Sequence, residues 1–480
     1  MKILFATPEC APLVKTGGLG DVSAALPRAL RAIGHDATIL MPAYGGMAID
    51  GTLQSIVPLP AFGPWPAAQL LQVTAADGMP FLLLSCPTVY ANASTPYGDP
   101  AHTPLREQAQ RFGLLSRVAA LLGTEQSPIN WQANIVHAND WPCGLAPLYL
   151  QQARLAGQQD VARSLITIHN LAFQGVMPME ACDLLDISPA YRTMEGVEFW
   201  GQLSMLKAGL QFADAITTVS PTYAREIQQP ALGFGLDGVL RTRAERLHGV
   251  LNGIDTTAWN PATDPLIAAN YDAEHLEAKV LNKNALRKRC GLVTSSGPLL
   301  GLVGRLTSQK GVDLVLAGAP AQLARGAQLV VLGKGEPSLE AGLRALEKTH
   351  AGQVHATLGF DEALAHQIEA GADCFLMPSR FEPCGLNQMY SQAYGTVPVV
   401  TATGGLADTV SDVSDDKQQG TGFVMKAASS AEFDAAMARM WGAWLEPDRW
   451  RKIQTLGMRK DFGWANAASQ YERLFLELLK

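Results

Sequence analysis

At 480 residues the chain is longer than one hydrophobic core usually serves, which predicts two domains. A content of 48% hydrophobic and 17% charged residues excludes a disordered chain, and a net charge of −7 with a pI near 5.8 excludes generic nucleic-acid binding, which wants a basic face. No apolar run approaches the ~18 residues of a membrane span, the start Met1-Lys2-Ile3-Leu4-Phe5-Ala6 is too short for a signal-peptide core, and seven cysteines without a C-x-x-C pair predict reduced thiols in a cytoplasmic protein.

Short apolar runs alternate with helical patterns along the whole chain, which predicts parallel sheets covered on both faces. In the first half, strands are expected at Lys2–Ala6, Ala37–Met41, Phe81–Ser85, Ile135–His137, Leu165–Ile168 and Ala215–Val219, with helices such as Gln108–Leu122 and Gly144–Leu155 between them. A hinge is expected around Arg246–Trp259, and Pro261–Asn270 gives no core element. A second series follows at Leu299–Val303, Gln328–Leu332, Val354–Leu358, Cys374–Met377 and Val397–Val400. Each series has the pattern of a doubly wound sheet, in which ligands gather at strand C-terminal ends. Tyr471, Leu474, Phe475 and Leu478 repeat at helical spacing and predict a terminal amphipathic helix.

The chemistry-bearing residues cluster at those strand ends. Lys15-Thr16-Gly17-Gly18-Leu19-Gly20-Asp21 follows the first strand and opens a helix. Its glycines admit close backbone approach, and the helix N-terminus together with Lys15 suits an anion, most naturally a phosphate. It is not a dinucleotide fingerprint: Ser23 stands at the third glycine, Pro8, Glu9 and Pro12 delay the loop, and no acidic residue ends the next strand. Gly304-Arg305-Leu306-Thr307-Ser308-Gln309-Lys310-Gly311 places two cations after another strand, which fit a diphosphate leaving group if the loop folds back and are otherwise a solvated surface pair. Pro378-Ser379-Arg380-Phe381-Glu382-Pro383-Cys384-Gly385-Leu386 leads into a helix expected over Leu386–Tyr394, with Glu382 able to accept from sugar hydroxyls or to cap that helix, and Cys384 best read as a packing residue. Thr403-Gly404-Gly405-Leu406-Ala407-Asp408-Thr409 repeats the glycine-before-helix device and offers N–H groups to a second phosphate. The glycines of Gly333-Lys334-Gly335-Glu336 would let a flat base lie on the backbone. His137, at the start of His137-Ala138-Asn139-Asp140-Trp141, and His169, within Thr167-Ile168-His169-Asn170, end neighbouring strands, and Tyr97 and Trp141 are candidate stacking surfaces for a sugar ring. Neither H-E-x-x-H nor D-x-D occurs, so no metal site is predicted.

Taken in order, Lys15–Asp21, Thr167–Gly175, Gly304–Gly311, Pro378–Leu386 and Thr403–Thr409 resemble the corresponding segments of the bacterial glycogen synthase family and its starch synthase relatives, and the resemblance runs the length of the chain. It implies an α/β glycosyltransferase-B fold, two Rossmann-like domains facing across a deep cleft. Residues 1–246 would form the acceptor side, joined by a C-terminal helix over 457–480 crossing back, and residues 247–456 the nucleotide-sugar donor side. It implies a retaining glucosyltransferase that moves glucose from ADP-glucose to glycogen or another α-1,4-glucan in the cytoplasm, with no metal or organic cofactor and no nucleic-acid or membrane partner.

Carried onto this sequence, the resemblance places Lys15 and Gly18 at the distal phosphate or glucosyl group and Arg305 and Lys310 on the diphosphate. Glu382 meets the glucose hydroxyls, Gly404, Gly405 and Leu406 supply backbone donors, and His169 lies beside the anomeric carbon. Asp21, Asp140, Asn252 and Cys384 are looser assignments around the donor sugar. Asn139 and Pro142 depart from the family pattern, where histidines commonly flank the Asp-Trp pair. No carboxylate is identified as a nucleophile, so a same-face displacement is expected, with a leaving phosphate oxygen helping to deprotonate the acceptor hydroxyl. The rival readings are a relative using another donor such as UDP-glucose, and a silent glucan-binding protein; the latter predicts damaged anion contacts, yet Lys15, Arg305, Lys310 and Glu382 are all present.

Overall fold

The computed structural model describes residues 1–480 apart from 49, 92–95, 98–102 and 414–418. It divides into two compact units, one of residues 1–253 with 464–480 and one of residues 254–463. The divisions at Gly253/Ile254 and Gly463/Trp464 lie a few residues beyond the expected 246/247 and 456/457.

The first unit is built on strands β1 (Lys2–Ala6), β2 (Asp36–Pro42), β3 (Gly51–Leu59), β4 (Ala68–Ala75), β5 (Pro80–Ser85), β6 (Ile135–Asn139), β7 (Arg163–Ile168), β8 (Val176–Pro178), β9 (Glu198–Phe199), β10 (Gln202–Ser204), β11 (Ala215–Thr218) and β12 (Leu247–Gly249). Nine of them form one sheet in the order β12-β11-β7-β6-β1-β2-β5-β4-β3, all running parallel except β4, which pairs antiparallel with both β5 and β3. The other three make a small antiparallel sheet, β8-β10-β9. β1, β2, β6 and β7 are buried along nearly their whole length, as expected of strands covered on both faces.

Burial at Leu19, Val22, Leu26 and Leu30 turns one stripe of helix Gly18–Ala32 to the sheet. The terminal helix Trp464–Leu478 packs beside it, with Trp464, Ala467, Ala468, Tyr471 and Phe475 joining Ile3, Phe5 and Leu26 in one core. His137 lies within that core, its ring 4.8 Å from Phe5 and 5.3 Å from Tyr471. It is a packing residue and not a ligand group at the strand end.

The second unit carries β13 (Leu299–Val303), β14 (Gln328–Gly333), β15 (Val354–Leu358), β16 (Cys374–Met377), β17 (Val397–Thr401) and β18 (Phe423–Met425), all parallel, in the order β15-β14-β13-β16-β17-β18. Two hydrophobic cores cover its faces, one containing Val312, Val315 and Phe433, the other Leu286, Ile368 and Leu406. The stretch 254–271 has no regular element but is pinned to this unit. Trp259 stacks between His366 (3.8 Å) and Tyr390 (3.9 Å), and buried Asp264 accepts from His366 Nδ1 (2.7 Å) and the Tyr394 hydroxyl (2.6 Å).

Strand order reverses between β1 and β6 in the first sheet and between β13 and β16 in the second. Loops leaving adjacent strands diverge at such a point and open a crevice at the carboxyl edge of the sheet. The segments singled out by sequence leave these four strands and their neighbours β7, β14 and β17.

Candidate active site

In the first unit the site begins with a residue that sequence reasoning treated as a spacer. Glu9, 1% exposed, directs its carboxylate into the glycine-rich loop. Oε1 accepts from the Gly20 amide (3.0 Å), and Oε2 accepts from the Thr16 amide (2.8 Å) and the Thr16 hydroxyl. Burial pushes the Glu9 carboxyl up while these hydrogen bonds pull it down, and burial is the larger influence. Lys15 pairs with Asp21 at 2.8 Å across the first helical turn. Its stem passes close over Gly20, where an added Cβ would meet Lys15 Cγ at 3.1 Å. Gly17 caps the helix in an extended conformation, and Gly18 is its first residue.

After β6, Asp140 adopts φ 54° and ψ −175°, a region essentially reserved for glycine. Its Oδ1 accepts from the amides of His169 (2.8 Å) and Asn170 (3.4 Å), so one carboxylate ties the β6 loop to the β7 loop. Burial pushes the Asp140 carboxyl up to about 7. Asn139 sets the tautomer of His169. Its amide nitrogen donates to the carbonyls of Ala6 (3.0 Å) and His137 (3.3 Å), which turns Oδ1 towards His169 Nε2 at 3.0 Å. Nε2 therefore carries the proton and Nδ1 is left as an acceptor. Burial pushes His169 down to about 3, so the ring is neutral. Trp141 lies on Gly175, with Tyr97 6.0 Å and Phe112 4.7 Å away. Asn252 is buried three residues past β12, with no hydrogen-bond partner among the described residues.

In the second unit the loops after β13 and β16 lock together. Gly311 has φ 70°, and a Cβ there would fall 2.1 Å from the Pro378 carbonyl. The Arg380 amide donates to Gln309 O at 2.8 Å. This contact brings the Lys310 ammonium onto buried Glu382, whose Oε2 also accepts from Ser379 Oγ at 3.3 Å. Arg305, on the same loop, is exposed and has no ion partner among the described residues. Asn387 anchors the following helix by donating to Val303 O at 2.7 Å. Helix Asn387–Ala393 starts well after Glu382, so the carboxylate is not its cap.

The β17 loop seals this arrangement. Gly404 has φ 44°, and a Cβ on it would lie 1.8 Å from Glu382 O; one on Gly405 would lie 2.1 Å from Cys384 O. These glycines are required by the neighbouring backbone. The Gly405 amide already donates to Glu382 O (3.2 Å) and Pro383 O (3.1 Å), and that of Leu406 to Thr403 O (3.1 Å). In this state the Gly405 N–H holds the β16 loop and the Leu406 N–H closes its own turn, so both are engaged by carbonyls, contrary to the expectation of free donors. The Leu406 side chain is in the core, and Cys384 is buried and outside any disulfide, like the other six cysteines. Gln388, missed in the sequence, donates from Nε2 to the carbonyls of Cys384 (3.1 Å) and Gly385 (3.0 Å) and to Thr409 Oγ1 (3.1 Å), stitching the two loops together. Gly333 and Gly335 likewise face backbone, with added Cβ atoms 1.9 Å from Gly304 O and 2.0 Å from Leu306 O. They do not form a base platform.

Residues 2–242 match the family model described as the starch synthase catalytic domain, and residues 288–454 match that of glycosyl transferases group 1. The glycogen synthase of Paracidovorax citrulli is 60% identical over 99% of this chain and 94% of its own. That of Dechloromonas aromatica is 50% identical over 100% and 99%. The chain belongs to the glycogen synthase family. Among solved structures, the catalytic domain of starch synthase IV from Arabidopsis thaliana, bound to ADP and acarbose, has a TM-score of 0.90 at 33% identity and covers 100% of this chain and 99% of its own. The sucrose-phosphate synthase of Thermosynechococcus elongatus, at 17% identity and a TM-score of 0.63, shares the fold. The fold is that of the glycosyltransferase-B class, and this glycogen synthase family member is a retaining glycosyltransferase. Among the described residues no three His, Cys, Asp or Glu side chains gather as a metal site, and no helix is long and apolar enough to cross a membrane.

Proposed function

We propose that the chain elongates glycogen in the cytoplasm, moving glucose from ADP-glucose to the non-reducing end of an α-1,4-glucan with retention, and without a metal or organic cofactor. The observation that carries this reading is the cation pair of the β13 loop. Lys310 is fixed on buried Glu382 while Arg305 is held out on the same loop with no ion partner among the described residues.

Breaking the anomeric C–O bond produces an oxocarbenium-like sugar and a diphosphate anion, so the largest stabilisation is needed where negative charge develops. Arg305 as a fork and Lys310 as a point charge take the diphosphate. Glu382 accepts from the glucose hydroxyls, with buried Cys384 two residues on in the same loop. Gly404, Gly405 and Leu406 supply backbone donors, those of Gly405 and Leu406 only once their amides exchange the carbonyls they now hold. In the first unit Lys15 and Gly18 serve the distal phosphate, with Asp21 orienting Lys15. The neutral His169 ring, steadied by Asn139 and Asp140, lies by the transferring sugar without repelling the cationic transition state. Asn252 is a further polar contact, and Tyr97 and Trp141 offer stacking faces to the acceptor. The acceptor proton passes to a leaving phosphate oxygen in a same-face displacement, and trapping a covalent glucosyl-enzyme would refute that route.

The test is glucose incorporation into glycogen from radiolabelled ADP-glucose and UDP-glucose in parallel, wild type beside Lys310→Ala. ADP-glucose-dependent transfer that collapses in the variant is expected. A preference for UDP-glucose overturns the donor, and glycogen binding without transfer from either overturns the enzyme.

A further inference from the structure

The first unit carries an exposed aromatic patch that the transfer chemistry does not use. Trp200 sits at the turn between β9 and β10, 78% exposed, with φ 52°. A bulky side chain in the left-handed region is strained, and exposing it to water yields no burial in return. The turn is nevertheless firmly held. The Gly201 amide donates to Glu198 Oε1 (2.5 Å), and the buried Lys207 ammonium donates to the carbonyls of Met194 (2.6 Å) and Glu198.

Phe199 lies beside Trp200 at 6.4 Å, and both rings close on Gly235, where an added Cβ would meet Phe199 Cζ at 3.1 Å and Trp200 Nε1 at 3.3 Å. The residue before it, Phe234, is 36% exposed, and its carbonyl accepts from Gln174 Nε2 at 2.9 Å. Gln174 follows Phe173, itself 51% exposed, on the loop that starts at His169. The same loop feeds β8, which pairs with β10 of the Trp200 hairpin. The rings therefore stand on three segments tied together by hydrogen bonds, the first of which starts at His169.

We propose that Phe173, Phe234 and Trp200 form a rigid platform for an α-glucan chain, holding acceptor residues remote from the end that receives glucose. This rests on the glucan-elongating reading above. A pyranose offers an apolar face with hydroxyls around its edge. Flat exposed rings beside the exposed amide of Gln202 present the matching pattern, with buried Gln174 fixing the Phe234 backbone beneath them.

The test compares Trp200→Ala and Trp200→Tyr with wild type in three measurements on the full chain: retardation in glycogen-containing native gels, KM for glycogen and for maltotriose with ADP-glucose, and sedimentation. Trp200→Ala is expected to lose retardation and raise KM for glycogen about two- to tenfold, the effect of one stacking contact. Maltotriose kinetics and sedimentation should stay unchanged, and Trp200→Tyr should restore most of the effect. Unchanged glycogen retardation and KM, an equal loss on both acceptors, or a change in oligomeric mass in place of glycogen affinity would each overturn the platform. If wild type transfers to neither acceptor, the reading of function fails, and retardation of wild type but not Trp200→Ala still supports the platform while equal retardation overturns it.

Discussion

Arg305 and Lys310 share a loop and a proposed ligand but stand in different surroundings, so removing each should separate function from stability. Arg305 is exposed and without an ion partner, so Arg305→Ala should leave stability within about 0.5 kcal/mol of wild type. Lys310 neutralises a Glu382 carboxylate whose other hydrogen bond is a 3.3 Å contact from Ser379. Removing one partner of a fully buried pair costs about 3–5 kcal/mol. The lysine is a quarter exposed, which lets water reach the pair and reduces the expected loss to about 2 kcal/mol. For a unit of this size that is roughly 4–8 °C in melting temperature. Both variants should lose about 10²- to 10³-fold in kcat, the scale of one preorganised charge at a developing anion. The assay is calorimetry alongside incorporation of label from ADP-glucose, with Lys310→Arg as the charge-keeping control. Equal melting temperatures for the two alanine variants would refute the ion-pair argument. A kcat for Arg305→Ala within a small factor of wild type would refute the diphosphate assignment.

Three further outcomes are expected. Glu9→Ala leaves the Thr16 and Gly20 amides without their buried acceptor, at about 1–3 kcal/mol each, and should raise KM for ADP-glucose and speed hydrogen exchange at those two amides, with partial recovery in Glu9→Gln. Asp140, whose carboxyl is raised to about 7 by burial, binds its proton more tightly in the native than in the unfolded chain. Its contribution to stability therefore falls as pH rises from about 4 to about 7 and is flat above that. Asp140→Asn should accordingly melt higher than wild type at pH 8, by a margin that vanishes towards pH 4, while its kcat drops; calorimetry across that range checks the sign. Gly404→Ala must place a methyl against Glu382 O and hold φ 44°, costing about 1–3 kcal/mol in backbone strain before the clash is relieved, and its kcat should fall with its melting temperature.

The sheets were legible because their strands are continuous apolar runs, and a buried parallel strand needs nothing else to declare itself. β3 and β4 were missed for the converse reason. β3 is exposed along most of its length, so neither alternation nor an apolar run marks it, and Pro58 argues against a strand. β12 and β18 are three residues long and too short to show a period. The cation loop and Glu382 were legible from residue type and position at a strand end. Glu9 and Gln388 were not, because each acts on atoms several residues away that only the folded loop brings to its carboxylate or amide.

The glycines show why a motif can be legible in position while the packing around it is not. A Gly-Gly before a helix reads as an open anion site, and nothing in the sequence distinguishes space left for a ligand from space already filled by another loop. Strand order makes that distinction. Because β16 lies between β13 and β17, the loops after all three leave the same sheet edge side by side, and their backbones approach one another to within the volume of a methyl group. Gly311, Gly404 and Gly405 are spent on that contact, which is what fixes Glu382 in place for Lys310. Substituting any of them should therefore disturb the sugar and diphosphate groups together, where loss of an open phosphate cradle would disturb the diphosphate alone. Comparing the affinity of Gly404→Ala for ADP with its affinity for ADP-glucose separates the two. An equal loss on both nucleotides would return these glycines to the anion site, and a larger loss on ADP-glucose would assign them to the scaffold that holds Glu382.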